Sequence, residues 1–188
     1  MAHTVRPPVP ADADAMARVH VDTWLETYRG IMPDELLDAP DLLDRRRQMW
    51  TNIIAEADPS RFTCAVAETD DRIVGIAMAG PPEEGENRQG ASPEDEGGSV
   101  LGRDKVEHPE DRHLYVLYAY RSMHRTGAGQ DLLDAVIDPS VTTALWVADP
   151  NPRAQAFYAK NGFIADGTVK TDDYDGVREV RMVRSPRV

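Results

Sequence analysis

Gly127 and Gly129 stand where a run of aliphatic and aromatic residues gives way to a helical pattern, in His124-Arg-Thr-Gly-Ala-Gly129. A strand that turns through two glycines directly into a helix leaves several backbone N–H groups unpaired at the positive end of the helix dipole, and such a group of amides binds anions. Arg121, His124, Arg125 and Arg153 fall in or beside the same region and would add positive charge. The loop lacks the Gly-Lys-Ser/Thr ending of a nucleotide P-loop, so a triphosphate and its magnesium have no evident ligand there. It also lacks the third glycine of a dinucleotide fingerprint, and no acidic strand end follows at the right distance.

The elements that must position this loop are legible on either side. Leu114 to Tyr120 has high strand propensity and no breaker, and is short enough for a buried central strand. From Ala128 on, Leu132, Leu133, Val136 and Ile137 share one side of a helical wheel until Asp138-Pro139 stops it. A second strand-to-helix joint follows at Leu145-Trp-Val-Ala, where Asn151 is placed to cap a helix that has Pro152 at its first position and Asn161-Gly162 at its close.

Written as Ala119-x-Arg-x-x-His124-x-x-Gly127-x-Gly129, the first joint resembles the acyl-CoA-binding signature of the GNAT superfamily of N-acetyltransferases, Val-x-Pro-x-x-Arg/Gln-x-x-Gly-x-Gly/Ala. Ala119, Arg121 and His124 depart from its usual residues, while the spacing matches throughout. The second joint, Asn151-Pro-Arg-Ala-Gln-Ala-Phe-Tyr158-Ala-Lys-Asn-Gly-Phe163, resembles the family's Asn-x-x-Ala-x-x-Phe-Tyr-x-x-x-Gly-Phe motif. The resemblance implies an α/β (α+β) fold: a single acyl-CoA N-acyltransferase domain over residues 1–188. Its mixed, mostly antiparallel sheet would have roughly six or seven strands, a splayed fourth and fifth pair, and about four flanking helices.

The same resemblance implies acetyl-CoA as acyl-donor cosubstrate, held by Tyr118, Ala119, Tyr120, His124, Arg125, Thr126, Gly127, Ala128, Gly129, Gln130 and Asn151. It assigns the acid for the leaving thiolate to Tyr158, and the donor to the thioester carbonyl to main-chain N–H groups near Ala119 and Tyr120, where the family's fourth strand carries a bulge. The family's base often lies on a Glu six residues before the position of Ala119; that position holds His113, which can accept an amine proton near neutral pH. Glu26, Glu68 and a water chain are the competitors. Trp24, Tyr28 and Arg29, with Glu26 and Met32, would form one wall of the acceptor pocket, although Trp24 and Tyr28 at i and i+4 could equally pack against a neighbour. The implied reaction moves an acetyl group to a primary amine of a small molecule by direct attack on the thioester. Acetylation of a protein N-terminus or lysine, a non-catalytic acyl-CoA-binding regulatory domain and an interaction protein are the alternatives. Many relatives are dimers, so a homodimer stays open.

Bulk properties bound these readings. A net charge of −12 argues against nucleic acid as a partner. It would favour a cationic acceptor. No apolar run is long enough for a membrane span, and Met1 to Pro10 lacks the core of a signal peptide, so no membrane partner and a cytoplasmic location are expected. Cys64 is the single cysteine and reads as a small buried hydrophobe. His3, His20, His108, His113 and His124 are scattered singly, with no metal-ligand spacing. Asp12 is expected to cap a first helix that runs to about Tyr28, and Arg45-Arg46-Arg47 to lie solvated or paired on a helix from Asp41 to Ala57. Between Pro81 and Arg112, ten acidic side chains face four basic ones with four prolines and five glycines, which reads as a solvated acidic insertion.

Overall fold

The computed structural model describes residues 2–56, 58, 60–82, 111–171 and 176–186. Seven strands, β1 (Thr4–Arg6), β2 (Thr63–Thr69), β3 (Arg72–Gly80), β4 (Arg112–Ala119), β5 (Thr143–Ala148), β6 (Ile164–Thr171) and β7 (Arg178–Arg184), form one sheet in the order β1-β2-β3-β4-β5-β7-β6. Four helices flank it: α1 (Ala13–Tyr28), α3 (Leu42–Glu56), α4 (Ala128–Val136) and α5 (Pro152–Lys160), while α2 (Asp34–Leu37) is a single turn. This is the mixed α/β architecture that the sequence implies. The acidic insertion expected at 81–112 lies largely outside the described residues, and Arg112 belongs to β4 instead.

Neighbouring strands pair antiparallel except β4 and β5, which run parallel and pair only over Arg112↔Thr143, His113↔Ala144 and Leu114↔Leu145. Just past that point β4 bulges. Met78 faces Val116 while Ala79 faces Leu114, so Tyr115 is the extra residue. A bulge bends its strand and raises the local twist, and here it coincides with the place where β4 leaves β5. The sequence placed the bulge nearer Ala119, since Leu114 to Tyr120 contains no glycine or proline to betray its position.

The sheet separates two apolar layers. On one face Met16, Ala17, Val19 and Trp50 from α1 and α3 pack on Val66, Ile76 and Val116. On the other, Leu132, Leu133 and Val136 of α4 join Leu145, Val147, Tyr158, Phe163 and Met182. Asp12 does not cap α1 through its side chain. Its carboxylate accepts the Val9 N–H at 2.8 Å and an Arg6 N–H at 2.7 Å, and those bonds, Arg6 foremost, hold its pKa below the usual carboxylate value. Arg45 and Arg47 are paired with Asp41, Asp44 and Asp14, as a solvated helix face requires.

Gly75 sets how closely α4 can approach the strand pair behind the loop. A Cβ there would stand 2.8 Å from Leu132 Cδ1 and 3.1 Å from the Tyr118 carbonyl oxygen. Gly75→Ala is therefore expected to destabilise the fold by about 1–3 kcal/mol, seen as a lower urea midpoint at unchanged slope. An unchanged midpoint would mean that α4 yields at no cost.

Candidate active site

Where β4 and β5 part, a cleft of about 1030 Å³ opens, lined from both faces of the sheet. Its depth comes from main chain left without a strand partner. The Tyr120 N–H donates to the Val74 carbonyl at 3.1 Å, so by antiparallel alternation Tyr118 and Tyr120 direct their peptide groups to β3, whereas Leu117 and Ala119 direct theirs to the slot. Of the two amides singled out in the sequence, Ala119 faces the slot and Tyr120 is engaged. Leu117 is one that sequence reasoning missed.

At one end of the cleft the glycine loop leads into α4. Arg125 and Gly127 both have positive φ, 65° and 100°. Among the described residues no main-chain acceptor is present for the amides of Arg125, Gly127, Gly129 and Gln130, while Thr126 Oγ1 accepts from Ala128 N–H at 3.4 Å and ties the turn through the Met123 carbonyl. Such successive amides at a helix start make an anion cradle. A Cβ on Gly129 would meet only the Phe157 ring, at 3.7 Å, so that position is open to close approach.

Positive charge gathers beside these amides. Arg153 Nη1 lies against both ring nitrogens of His124, and Arg121 donates to the Glu26 carbonyl at 2.8 Å while its own N–H meets the Glu26 carboxylate at 3.0 Å. Burial first, then Arg153, holds the His124 pKa below its ordinary value; burial first, then Arg121, does the same to Arg153. Glu26 is the one carboxylate among the residues of the small adjoining pocket, about 390 Å³, that Thr27, Arg121, His124, Asn151 and Arg153 complete. Arginines and a histidine beside unpartnered amides fit a diphosphate-bearing carrier.

Asn151 caps α5 by accepting the Ala154 N–H at 3.2 Å, with Pro152 at the first helical position. That helix brings Tyr158 to the cleft, 9% exposed and edge-on to Phe157 and Phe163. Burial and then the nearby Tyr118 push its phenol pKa up, so Tyr158 carries its proton at neutral pH. His113 enters from the opposite face of the sheet. It is 8% exposed, with its ring 4.7 Å from that of Tyr115, and it lines the same cleft. Glu68 is held by Arg6 at 2.7 Å across the β1–β2 pair and does not line the cleft.

Of the residues expected on the acceptor wall, Tyr28 lines the cleft together with Thr27 and Thr23. Trp24 does not: its ring packs against His20 and Tyr28, with the Arg46 guanidinium 4.4 Å over its face. His20, pushed down to about 3 by burial, is a neutral packing group between Trp24, Trp50 and Tyr118. Arg29 is bound to Asp34 and Asp38 outside the cleft. Trp146, Lys170 and Glu179, residues with no sequence signal, also line the cleft. Cys64 is outside the cleft, and burial raises its pKa to about 11, so its thiol is inert. Among the described residues no group of His, Cys, Asp or Glu could hold a metal ion, and no helix is long and apolar enough to cross a membrane.

Comparison with known proteins agrees with this geometry. Residues 21–163 match the family described as the acetyltransferase (GNAT) family. A protein of Mycobacterium tuberculosis described as a probable N-acetyltransferase is 25% identical over 174 residues, covering 89% of this chain and 83% of its own length. Among solved structures, the PaiA N-acetyltransferase of Thermoplasma acidophilum in complex with coenzyme A superposes with a TM-score of 0.65 at 17% identity, over 98% of this chain and 99% of that one. A Corynebacterium glutamicum structure described as histone acetyltransferase HPA2 and related acetyltransferase gives 0.62 at 22% identity, over 100% and 98%.

Two outcomes test the anion end. Gly127→Ala forces an L residue to φ near 100°, a strain of roughly 1–2 kcal/mol, and should weaken CoA binding in calorimetry without unfolding the chain; undiminished affinity would show that the turn does not hold the ligand. His124, depressed in the free protein, should take up a proton when a diphosphate settles beside it. Affinity for CoA should then fall as pH rises from about 6 to 8, more steeply than in His124→Gln, since the bound-state pKa is the higher one. Identical slopes would remove His124 from the binding equilibrium.

Proposed function

The chain belongs to the GNAT family of acetyltransferases, and from that premise we propose that it transfers an acetyl group from acetyl-CoA to a primary amine of a small molecule by direct attack on the thioester. The observation that supports this reading most is the cleft itself: amides with no strand partner, an anion cradle at one end, and a protonated phenol and a buried imidazole entering from opposite faces of the sheet.

Acetyl-CoA, when bound, supplies an activated acyl group; the rest falls to this chain's residues. The cradle from Arg125 to Gln130, with Arg153 and His124 beside it, would hold the diphosphate, and Asn151 stands at the cleft wall for the arm that follows. The Leu117 and Ala119 amides, aimed into the slot, are suited to polarise a carbonyl oxygen. His113 is the side chain we assign to accept the amine proton, and the Tyr158 hydroxyl, which keeps its proton at neutral pH, is assigned to deliver one to the departing sulfur. The aromatic lining supports a small acceptor: Tyr28, Tyr115, Tyr118 and Trp146 wall a cleft of a size suited to a metabolite.

The reading is tested by thiol release from acetyl-CoA over a mixed panel of amines, with a lysine peptide included. Release with small amines is expected, and its absence across the panel while CoA still binds would leave a binding module. Tyr158→Phe should lower kcat by about 10²-fold or more and leave CoA affinity within about two-fold, because the hydroxyl is asked to act only on the leaving group. Full turnover in that variant would remove Tyr158 from the mechanism. His113→Ala should flatten the pH dependence of kcat/KM near neutrality, and an unaltered profile would dismiss it as the base.

A further inference from the structure

The part of the cleft lined by β5, β6 and β7 holds an arrangement that the transfer reaction does not require. Lys170 Nζ lies 4.6 Å from the centroid of the Trp146 ring and 3.4 Å from a carboxylate oxygen of Glu179. An indole face and a carboxylate together make a site for an ammonium group, and here one is already in it. All three side chains line the cleft, and Lys170 and Glu179 remain 29% and 24% exposed.

Register explains the convergence. Lys170 faces Glu179 across β6 and β7, and Glu179 faces Ala148 across β7 and β5, so Trp146, two residues before Ala148, points to the same side. Trp146 is also the first β5 residue beyond the last β4–β5 pair. His113, paired with Ala144, shares that side of the sheet. The ammonium site is thus next to the apex of the slot, on the face from which the acceptor's amine would be deprotonated.

Resting on the acetyl-transfer reading above, we propose that Trp146 and Glu179 form a subsite for a second ammonium group of the acceptor, with Lys170 as its internal stand-in, so that the acceptor class is a diamine. Lys170 sits on the edge strand β6 and carries a flexible four-carbon stem, so it can swing to water when a ligand cation takes its place. A carboxylate-bearing amine is disfavoured there. Among the described residues Glu179 is the sole acidic side chain lining the cleft, and a ligand carboxylate would confront both it and the negative face of the indole. The acidic surface, with −12 overall, draws in the same class of molecule.

A matched four-carbon series separates the readings: terminal diaminobutane, butylamine and terminal aminobutyrate, each followed by thiol release. The wild type should show the highest kcat/KM with diaminobutane. Glu179→Gln should raise KM for diaminobutane by about ten-fold more than KM for butylamine, while Lys170→Met should lower KM for diaminobutane. Preserved CoA affinity reports that both variants are folded. A wild-type preference for aminobutyrate that Lys170→Met abolishes would overturn the proposal by making Lys170 an anion anchor, and equal shifts for diaminobutane and butylamine would overturn it as well. Calorimetric titration of the CoA-bound protein with diaminobutane reads the subsite without turnover. Binding that weakens about ten-fold in Glu179→Gln supports it, and absent or unchanged heat overturns it. Binding retained with no thiol release anywhere in the series would instead overturn the acetyl-transfer reading alone.

Discussion

Parallel pairing of β4 with β5 lasts for three residues and then stops, and the rest of the site depends on that interruption. A central strand normally satisfies its peptide groups on both sides, and unpaired ones left in an interior cost free energy. Here Leu117 and Ala119 keep their side chains in the apolar layer under α4 while their amides face a gap. The fold tolerates the gap because β3 holds β4 along its whole other edge and the Tyr115 bulge supplies the bend. Unpaired backbone in a cleft open to solvent is then available to any ligand that brings an extended polar arm.

Charge is organised against the average of the molecule. In the proposed reading an acidic chain has to bind a polyanion, and it would do so through arginine and histidine concentrated beside main-chain amides rather than through an overall positive field. Glu26 moderates that cluster: its carboxylate accepts the Arg121 amide and its carbonyl accepts the Arg121 guanidinium, which fixes the end of α1 against the loop. The same contact brings Thr27 and Tyr28 to the cleft wall, so the proposed anion and acceptor ends are joined by a few residues at the end of α1.

What the sequence disclosed and what it hid follow one physical division. Local constraints were legible: Gly127 because a left-handed turn at a helix start needs it, and Asn151-Pro152 because a cap and a fixed φ open a helix, while Tyr158 was legible only through the family resemblance of its motif. Properties set by strand register were not. Tyr115 gives no outward sign that it is a bulge, and the engaged amide of Tyr120 is known only from its partner Val74. Trp146, Lys170 and Glu179 meet across three strands, and β6 carries an irregularity between Ala165 and Val169 that breaks the alternation from which their facing could have been counted. Trp24 illustrates the converse: aromatic spacing on α1 was real, but Arg46 and His20 use the ring for packing.

The sheet also works as a partition. Tyr158 belongs to the layer under α4 and α5, strand alternation from Leu114 and Leu145 turns His113 and Trp146 to the other side of the sheet, and the slot between the splayed strands joins the two. In the proposed reaction the proton lost by the nucleophile and the proton gained by the leaving sulfur would therefore be handled on opposite faces, by groups with separate surroundings. That separation lets each be tuned alone: burial keeps the Tyr158 phenol protonated without bearing on the group that receives the amine's proton. An acid and a base in direct contact would instead couple their titrations.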